Sequence, residues 1–418
     1  MPDPKRKMEL LISSLEDLRL HMGRRDLAIG PQKVNSQLYF SLANACLRGH
    51  AVLLYGGMGA NKTTLINLLG SSFLGLDLDQ VEDLMVTGHP EQTEEKIVGF
   101  LDPRQWSIQE AGPTQVLWTA WASSKWKLIN EINRFPSGKQ NLFLEILQKR
   151  KISYAGQVCQ PGDTCYFATM NPEFSATYPL DQALLDRISA CVPAYQPDFL
   201  AGLLLSEREK DVRDLAAMLP RFTQSEFSSL PKLVAEKSLS SQVELAVLCL
   251  IRDFTLCERA PFFDKAQLSL SKPSLGLCSG CHYHNNPEAI CWQADEGLSD
   301  RVRQDLRIFC RAFAYLLDRQ ADLEVLRAIA PYIIWHRIAP LPSILDKPPY
   351  FGAGKLALVA EMVEKSINRT MNERREMNLI YSRAMDGDLD AARTIEELSS
   401  FDDPIARLDF IPSLESRL

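Results

Sequence analysis

Ten consecutive residues constrain this chain more than any others: Tyr55-Gly56-Gly57-Met58-Gly59-Ala60-Asn61-Lys62-Thr63-Thr64. They follow a short apolar run, Ala51-Val52-Leu53-Leu54, and precede Leu65-Ile66-Asn67-Leu68-Leu69, which reads as the start of an amphipathic helix. Strand, glycine-rich loop, Lys-Thr and helix is the order of a P-loop. The physics is anion binding. Small residues let backbone N–H groups turn inward on phosphate oxygens, and the next helix presents its positive N-terminal end. Lys62 then reaches the β- and γ-phosphates and Thr63 holds Mg²⁺ through its hydroxyl, with Gly57, Met58, Gly59, Ala60, Asn61 and Thr64 around them. One position departs from the pattern, because Asn61 stands where glycine is expected before the lysine. Asn is among the non-glycine residues that best tolerate positive φ, so the loop is expected to survive. The plain alternative is an ordinary glycine turn between a strand and a helix.

Two further apolar strands end in polar residues. Trp126-Lys127-Leu128-Ile129 runs into Asn130-Glu131-Ile132-Asn133-Arg134, and Asp163-Thr164-Cys165-Tyr166-Phe167-Ala168-Thr169-Met170 into Asn171-Pro172. In open α/β sheets, ligands sit at the carboxyl ends of strands. Glu131 occupies the place of the residue that polarises an attacking water. Asn130 occupies the place of the aspartate that orients Mg²⁺; it can bond a metal-bound water but brings no charge. Asn171 suits contact with a γ-phosphate or the lytic water. Taken alone, Asn130-Glu131 reads better as a solvated strand end than as a site. The same arrangement at three strand ends is much harder to reach by chance.

Around these strands the periodicity predicts a leading helix over 8–22, a turn at Ala28-Ile29-Gly30, and a helix from Val34 to Leu47 stopped by Gly49. Residues 78–118 read as short segments between turn signals, among them Gly88-His89-Pro90, Asp102-Pro103 and Gly112-Pro113. A helix over 140–149, a hairpin-like segment over 151–157 and a helix over 177–188 follow. Arg187, near the end of the last, is either a helix C-terminal charge or, in an oligomer, an arginine reaching a neighbour's nucleotide. Strands cease near 196. Residues 199–219, 240–257, 298–319 and 321–337 read as helices of a second, all-α domain. Pro340, Pro342, Pro348 and Pro349 mark a linker, and a charge-dense stretch such as Asn372-Glu373-Arg374-Arg375-Glu376 reads as part of a solvated helical tail. The expected divisions are a helical segment (1–27), an α/β nucleotide-binding domain (28–195), a helical domain (196–342) and a helical C-terminal extension (343–418).

A net charge of −7 and the lack of a clear basic run disfavour broad nucleic-acid binding. No apolar run approaches the roughly 18 residues of a membrane span, and no signal-peptide pattern follows Met1-Pro2-Asp3-Pro4. These features point to the cytoplasm. There most of the ten cysteines are expected to be reduced and buried or bound to metal. One group has metal spacing: Cys257, Cys278-Ser279-Gly280-Cys281-His282-Tyr283-His284 and Cys291, within an insertion at about 257–297. Cys257, Cys278, Cys281 and Cys291 would give a structural Zn²⁺ four thiolates, with His282 or His284 able to replace either outer cysteine. Unligated cysteines, or a reversible Cys278–Cys281 disulfide, are the alternatives.

In order along the chain, these pieces resemble an AAA+ ATPase, most closely the MoxR branch. The resemblance runs from about Ala28 to Ala339. It is carried by Ile29-Gly30, Gly56 to Thr63, Gly112-Pro113, Asn130-Glu131-Ile132-Asn133-Arg134, Thr169-Met170-Asn171-Pro172, and Thr177-Tyr178-Pro179-Leu180 with Leu185-Asp186-Arg187. It implies an α/β P-loop domain, a parallel sheet flanked by helices, followed by an all-α lid, assembled as a ring that is commonly a hexamer. It also implies ATP and Mg²⁺ as ligands. Lys62 resembles the Walker A lysine, Thr63 the Mg²⁺ ligand, Glu131 the catalytic glutamate, Asn171 the sensor 1 residue and Arg187 the arginine finger. Arg301, near the start of a lid helix, resembles sensor 2, and Ile29 and Gly30 would lie near adenine. Such ATPases often remodel or assemble complexes with a separate partner carrying a von Willebrand factor A domain. Asn61 and Asn130 depart from the family pattern, which implies slow turnover. Two other functions stay open: a nucleotide-gated scaffold with little hydrolysis, and a nucleic-acid-associated AAA+ motor subunit.

Overall fold

The structure is a computed structural model. It describes residues 3–17, 25–104, 115–172, 177–197, 212–255, 290, 298–340, 345–346, 354–385 and the positions 403, 405 and 410. The chain divides into two compact units, one of residues 1–237 with 312–319, the other of residues 238–311 with 320–418.

The first unit is built on a five-stranded parallel sheet. Its strands in chain order are β1 (Ala51–Tyr55), β2 (Met85–Thr87), β3 (Trp126–Asn130), β4 (Cys165–Met170) and β5 (Ala190–Pro193), arranged in space as β5-β1-β4-β3-β2. β4 pairs with β1 from Tyr166↔Ala51 to Met170↔Tyr55 and with β3 from Cys165↔Trp126 to Ala168↔Ile129. β1, β3 and β4 are buried nearly end to end, as expected of strands covered on both faces.

Helix α1 (Pro4–Asp17) leads the chain, in place of the expected 8–22, whose last residues lie outside those described. The turn expected at 28–30 is the bend of an antiparallel hairpin, Leu27–Ile29 with Gln32–Val34, and Gly30 takes it at a φ of 57°. Helix α2 (Ser36–Cys46) therefore starts after Val34, where the Asn35 side chain accepts the Leu38 N–H at 2.8 Å. Helix α3 (Lys62–Leu74) follows the glycine loop and ends on Gly75 at a φ of 67°. Aromatic rings close one end of this core: Phe73 lies 4.8 Å from Phe222 and 5.3 Å from Phe227, and Trp126 lies 4.7 Å from Phe167.

Residues 78–118 hold more regular structure than their turn signals suggest: short helices at Leu78–Glu82 and Glu94–Val98, strand β2, and a hairpin of Gly99–Leu101 with Val116–Trp118. Helix α4 (Ser137–Lys149) and the hairpin Ile152–Tyr154 with Gln157–Cys159 match expectation. The helix expected over 177–188 does not. Only Gln182–Leu185 is helical, because the buried Gln140 amide takes the backbone partners of the preceding stretch, donating to Pro179 O and accepting from Asp181 N. Asp181 then caps the short helix through Ala183 N at 2.7 Å. Helices α5 (Val212–Met218) and α6 (Gln224–Ala235) complete this part of the chain.

The second unit is helical. Its elements are α7 (Ser241–Thr255), the first part of α8 (Asp300–Leu316), α9 (Leu323–Ile334), α10 (Gly354–Asn372) and α11 (Arg375–Met385). Among the described residues, the tail is packed rather than solvated. α10 buries Leu358, Val359, Met362, Val363, Ser366, Ile367 and Thr370, and packs on α7 and α9. The reason lies inside the stretch that reads as most soluble. Arg374 is buried and bonds both Asp253 oxygens, at 2.8 and 2.9 Å, and Asp403 at 2.8 Å. Ile405 and Phe410 pack beside it on Leu245, Cys249 and Met377.

Among the described residues, no helix is long and apolar enough to cross a membrane. Cys46, Cys165, Cys191, Cys249 and Cys310 are buried thiols as expected, while Cys159 is half-buried. Burial pushes the thiols of Cys46 and Cys249 up to about 12 and that of Cys165 up to about 11. The metal-spaced cysteines 257, 278, 281 and 291, with His282 and His284, lie outside the described residues. Among the described residues, no cluster of His, Cys, Asp and Glu could hold a metal ion.

Candidate active site at the sheet's carboxyl edge

The glycine loop leaves β1 under tight constraint. Gly56 N–H donates to Met170 O at 3.1 Å, and a Cβ at Gly56 would fall 2.1 Å from Ala194 O. Only glycine fits where the loop passes β5. Gly59 turns at a φ of 75°, and Asn61 takes the left-handed conformation at a φ of 50°, as the sequence allows. The Gln196 side chain donates to Met58 O at 2.9 Å, and Met58 itself stands exposed. Lys62 opens α3 and turns back on the loop, its ammonium donating to Gly56 O and Gly57 O, both at 2.7 Å. Thr63 and Thr64 follow in the first helical turn.

The ends of β3 and β4 meet this loop. Thr63 Oγ1 donates to Asn130 Oδ1 at 2.8 Å, and Thr169 Oγ1 donates to the same oxygen at 2.7 Å. The Thr169 hydroxyl also accepts the Glu131 N–H at 2.9 Å. Glu131 is left-handed, with φ 53° and ψ 52°. That conformation costs a non-glycine residue roughly 1–2 kcal/mol. The turn is braced around it: Arg134 N–H donates to Glu131 O at 2.9 Å, and Gly88 N–H to Asn130 O at 2.8 Å. A Cβ on Gly88 would lie 2.2 Å from Glu131 O, so a side chain there would displace the turn. The Glu131 carboxylate pairs with Arg134 at 2.8 Å, both side chains about a quarter exposed. Asn171 is buried just past β4, and its carbonyl accepts from Asn133 Nδ2 at 2.8 Å.

The structure thus brings together Gly57 to Thr63, Asn130, Glu131 and Asn171 at the carboxyl ends of β1, β3 and β4. Ile29, Gly30, Arg187 and Arg301 sit on other elements. Ile29 is buried in its hairpin, where its carbonyl accepts from Arg319 Nη1 at 3.1 Å, and Gly30 is exposed. Arg187 bonds Ala183 O at 2.7 Å and Gln148 Oε1 at 3.0 Å, on the side of α4. Arg301 is exposed in the first turn of α8, in the second unit. Thr169, Arg134 and Gly88 also brace these strand ends, and the first two are legible from the sequence as polar neighbours able to satisfy Asn130 and Glu131.

A family model for the AAA domain of the dynein-related subfamily matches residues 51–188. No curated protein matches the sequence. Among solved structures, a protein of Cytophaga hutchinsonii ATCC 33406 assigned as an ATPase is similar at 17% identity and a TM-score of 0.60, over 86% of this chain and 96% of its own. A full-length MCM homolog from Methanopyrus kandleri aligns at 12% identity over 88% of this chain and 62% of its own, with a TM-score of 0.39. At this identity the first likeness is one of fold. Residues 51–188 therefore match an AAA domain of the dynein-related subfamily, in a chain that shares the fold of the Cytophaga hutchinsonii protein.

Proposed function

We propose that this chain binds Mg²⁺–ATP at the 56–63 loop and hydrolyses it slowly in the cytoplasm. It would work as a MoxR-like ring, hexameric by resemblance, that remodels or assembles a separate partner protein. The supporting observation is the contact between loop and strand end, where Thr63 Oγ1 donates to Asn130 Oδ1 at 2.8 Å. A threonine hydroxyl whose proton is given away keeps its lone pairs for a cation, so the donor set fits Mg²⁺. Thr63 would hold the ion directly, with Asn130 orienting the Thr63 hydroxyl by accepting its proton. When bound, the ion neutralises charge on the phosphates.

The chain's own residues do the rest. Lys62 would exchange the Gly56 and Gly57 carbonyls for phosphate oxygens. Glu131 would accept the proton of the attacking water, and Asn171 would orient that water or the γ-phosphate. Arg187 of a neighbouring copy would stabilise charge on the transferred group, and Arg301 would sense the nucleotide from the lid. Ile29 and Gly30 would lie near adenine. A partner with a von Willebrand factor A domain fits the MoxR resemblance. A structural Zn²⁺ on Cys257, Cys278, Cys281 and Cys291 belongs to the same proposal; metal analysis of protein purified without chelator should return one equivalent, and its absence would remove that part.

A nucleotide-gated scaffold is the second reading. Asn130 favours it, because it brings no charge to the Thr63 hydroxyl. Steady-state hydrolysis against protein concentration, for the wild type beside Arg187→Ala, separates the two. For a ring ATPase the rate per chain rises with concentration, and Arg187→Ala loses about 10³-fold in kcat. ATP bound but not turned over in both proteins selects the scaffold. A melting temperature that millimolar Mg²⁺–ATP leaves unchanged overturns both.

A further inference from the structure

We propose that Thr169 is the positioning residue of the hydrolytic site, holding Glu131 in its working pose through a single hydroxyl. The inference rests on the nucleotide reading above. Thr169 is 1% exposed on β4, the strand between β1 and β3. Its hydroxyl has one proton and two acceptor positions. Glu131 N–H fills an acceptor position at 2.9 Å, and the proton goes to Asn130 Oδ1 at 2.7 Å. That oxygen takes its second donor from Thr63 at 2.8 Å. A continuous hydrogen-bonded path therefore runs from the backbone of Glu131 through Thr169 and Asn130 to Thr63.

The path matters because Glu131 is not in a conformation its residue type favours. It sits at φ 53° and ψ 52°, and a side chain in that region persists only where its surroundings hold it. The Thr169 oxygen is the partner of its N–H, the group that fixes which way the turn faces. Asn130 adds a second dependence. A carboxylate there would offer two equivalent oxygens to the two hydroxyls, whereas the amide offers one. Thr169 and Thr63 must both be donors to the same atom, and Thr169 is free to donate because it accepts from Glu131. Without the hydroxyl, the Glu131 N–H loses its partner and Asn130 loses one of two restraints on its amide. The backbone that carries the carboxylate then loses one of its braces, although the carboxylate is chemically unchanged.

The test compares full-length wild type with Thr169→Val, which keeps the shape and removes the hydroxyl, and Thr169→Ser, which keeps the hydroxyl. Each is measured for kcat, KM for ATP and thermal melting, alone and with Glu131→Gln. Thr169→Val is expected to lose about 10²-fold in kcat, the scale of a misplaced reacting group, with KM for ATP unchanged. Thr169→Ser should stay near the wild type. In the Glu131→Gln background, Thr169→Val should cost nothing further, because the group it positions is gone. Three results overturn the proposal: wild-type kcat in Thr169→Val, a loss in Thr169→Ser equal to that in Thr169→Val, or a full further loss on top of Glu131→Gln. If Thr169→Val does not fold, Thr169→Ala takes its place in the same comparisons. A wild type that hydrolyses no ATP overturns the nucleotide reading and this inference together, whereas an active wild type with an indifferent Thr169 overturns this inference alone.

Discussion

Arg374→Ala is expected to destabilise the second unit by about 3–5 kcal/mol, the range for breaking a buried ion pair from one side. The side chains of Arg374, Asp253 and Asp403 are 1%, 4% and 10% exposed. Both terminal guanidinium nitrogens bond Asp253 and Nε bonds Asp403, so one cation serves two carboxylates from distant parts of the chain. Ser366 adds a hydroxyl to Asp253 at 2.6 Å, and Arg369 approaches it only to 3.7 Å. Truncation leaves two carboxylates buried without their main partner, and that uncompensated charge, more than the lost bonds, sets the size of the effect. At roughly 2–4 °C per kcal/mol for a unit of this size, the melting transition should fall by about 6–20 °C. Replacing the whole set, with Arg374→Met, Asp253→Leu and Asp403→Leu together, should recover most of the loss, since apolar replacement of a buried ion cluster is often neutral. Calorimetry on the full chain reads both. A single variant that melts with the wild type would mean that water reaches the carboxylates.

Glu131→Gln is expected to lower kcat by about 10²–10⁴-fold, the usual contribution of a positioned general base. The amide keeps the length of the side chain and the backbone bonds of the turn, so Mg²⁺–ATP should still bind and raise the melting temperature as in the wild type. It cannot accept a proton from water, and it cannot hold the Arg134 ion pair seen at 2.8 Å. Single-turnover hydrolysis beside a nucleotide-dependent melt separates the two properties. Retained turnover would remove Glu131 from the mechanism and move attention to other acceptors near β4. Loss of binding together with turnover would mean that the pair with Arg134 supports the loop.

The central architecture could be read from residues alone because it rests on local chemistry. Apolar runs ending in Lys62-Thr63, Asn130-Glu131 and Asn171 became the three middle strands, and Asn61 took the positive φ that its type permits. What stayed hidden depends on partners far along the chain. Pro179 already argues locally against a helix through Tyr178-Pro179, but the capture of Pro179 O by Gln140, 39 positions away, leaves no local sign. Strands β2 and β5 are only three and four residues long, too short for periodicity to mark. Glu131 gives no local sign of its left-handed turn, since that conformation is imposed by Gly88, Thr169 and Arg134. Arg374 misled in the opposite sense. A run such as Asn372-Glu373-Arg374-Arg375-Glu376 resembles a solvated face, and only Asp253 and Asp403 make one of its charges part of the core.

The bonds from Lys62 to the carbonyls of Gly56 and Gly57 make the loop its own competitor. An anion that takes over the two N–H groups given to these carbonyls must supply acceptors in their place. A small monovalent ion such as chloride returns one contact for the two it removes, whereas a polyphosphate returns several and adds charge. The loop is thus expected to act as a threshold, silent toward the abundant simple anions of a cell and responsive to multiply charged phosphate chains, before any discrimination between bases begins.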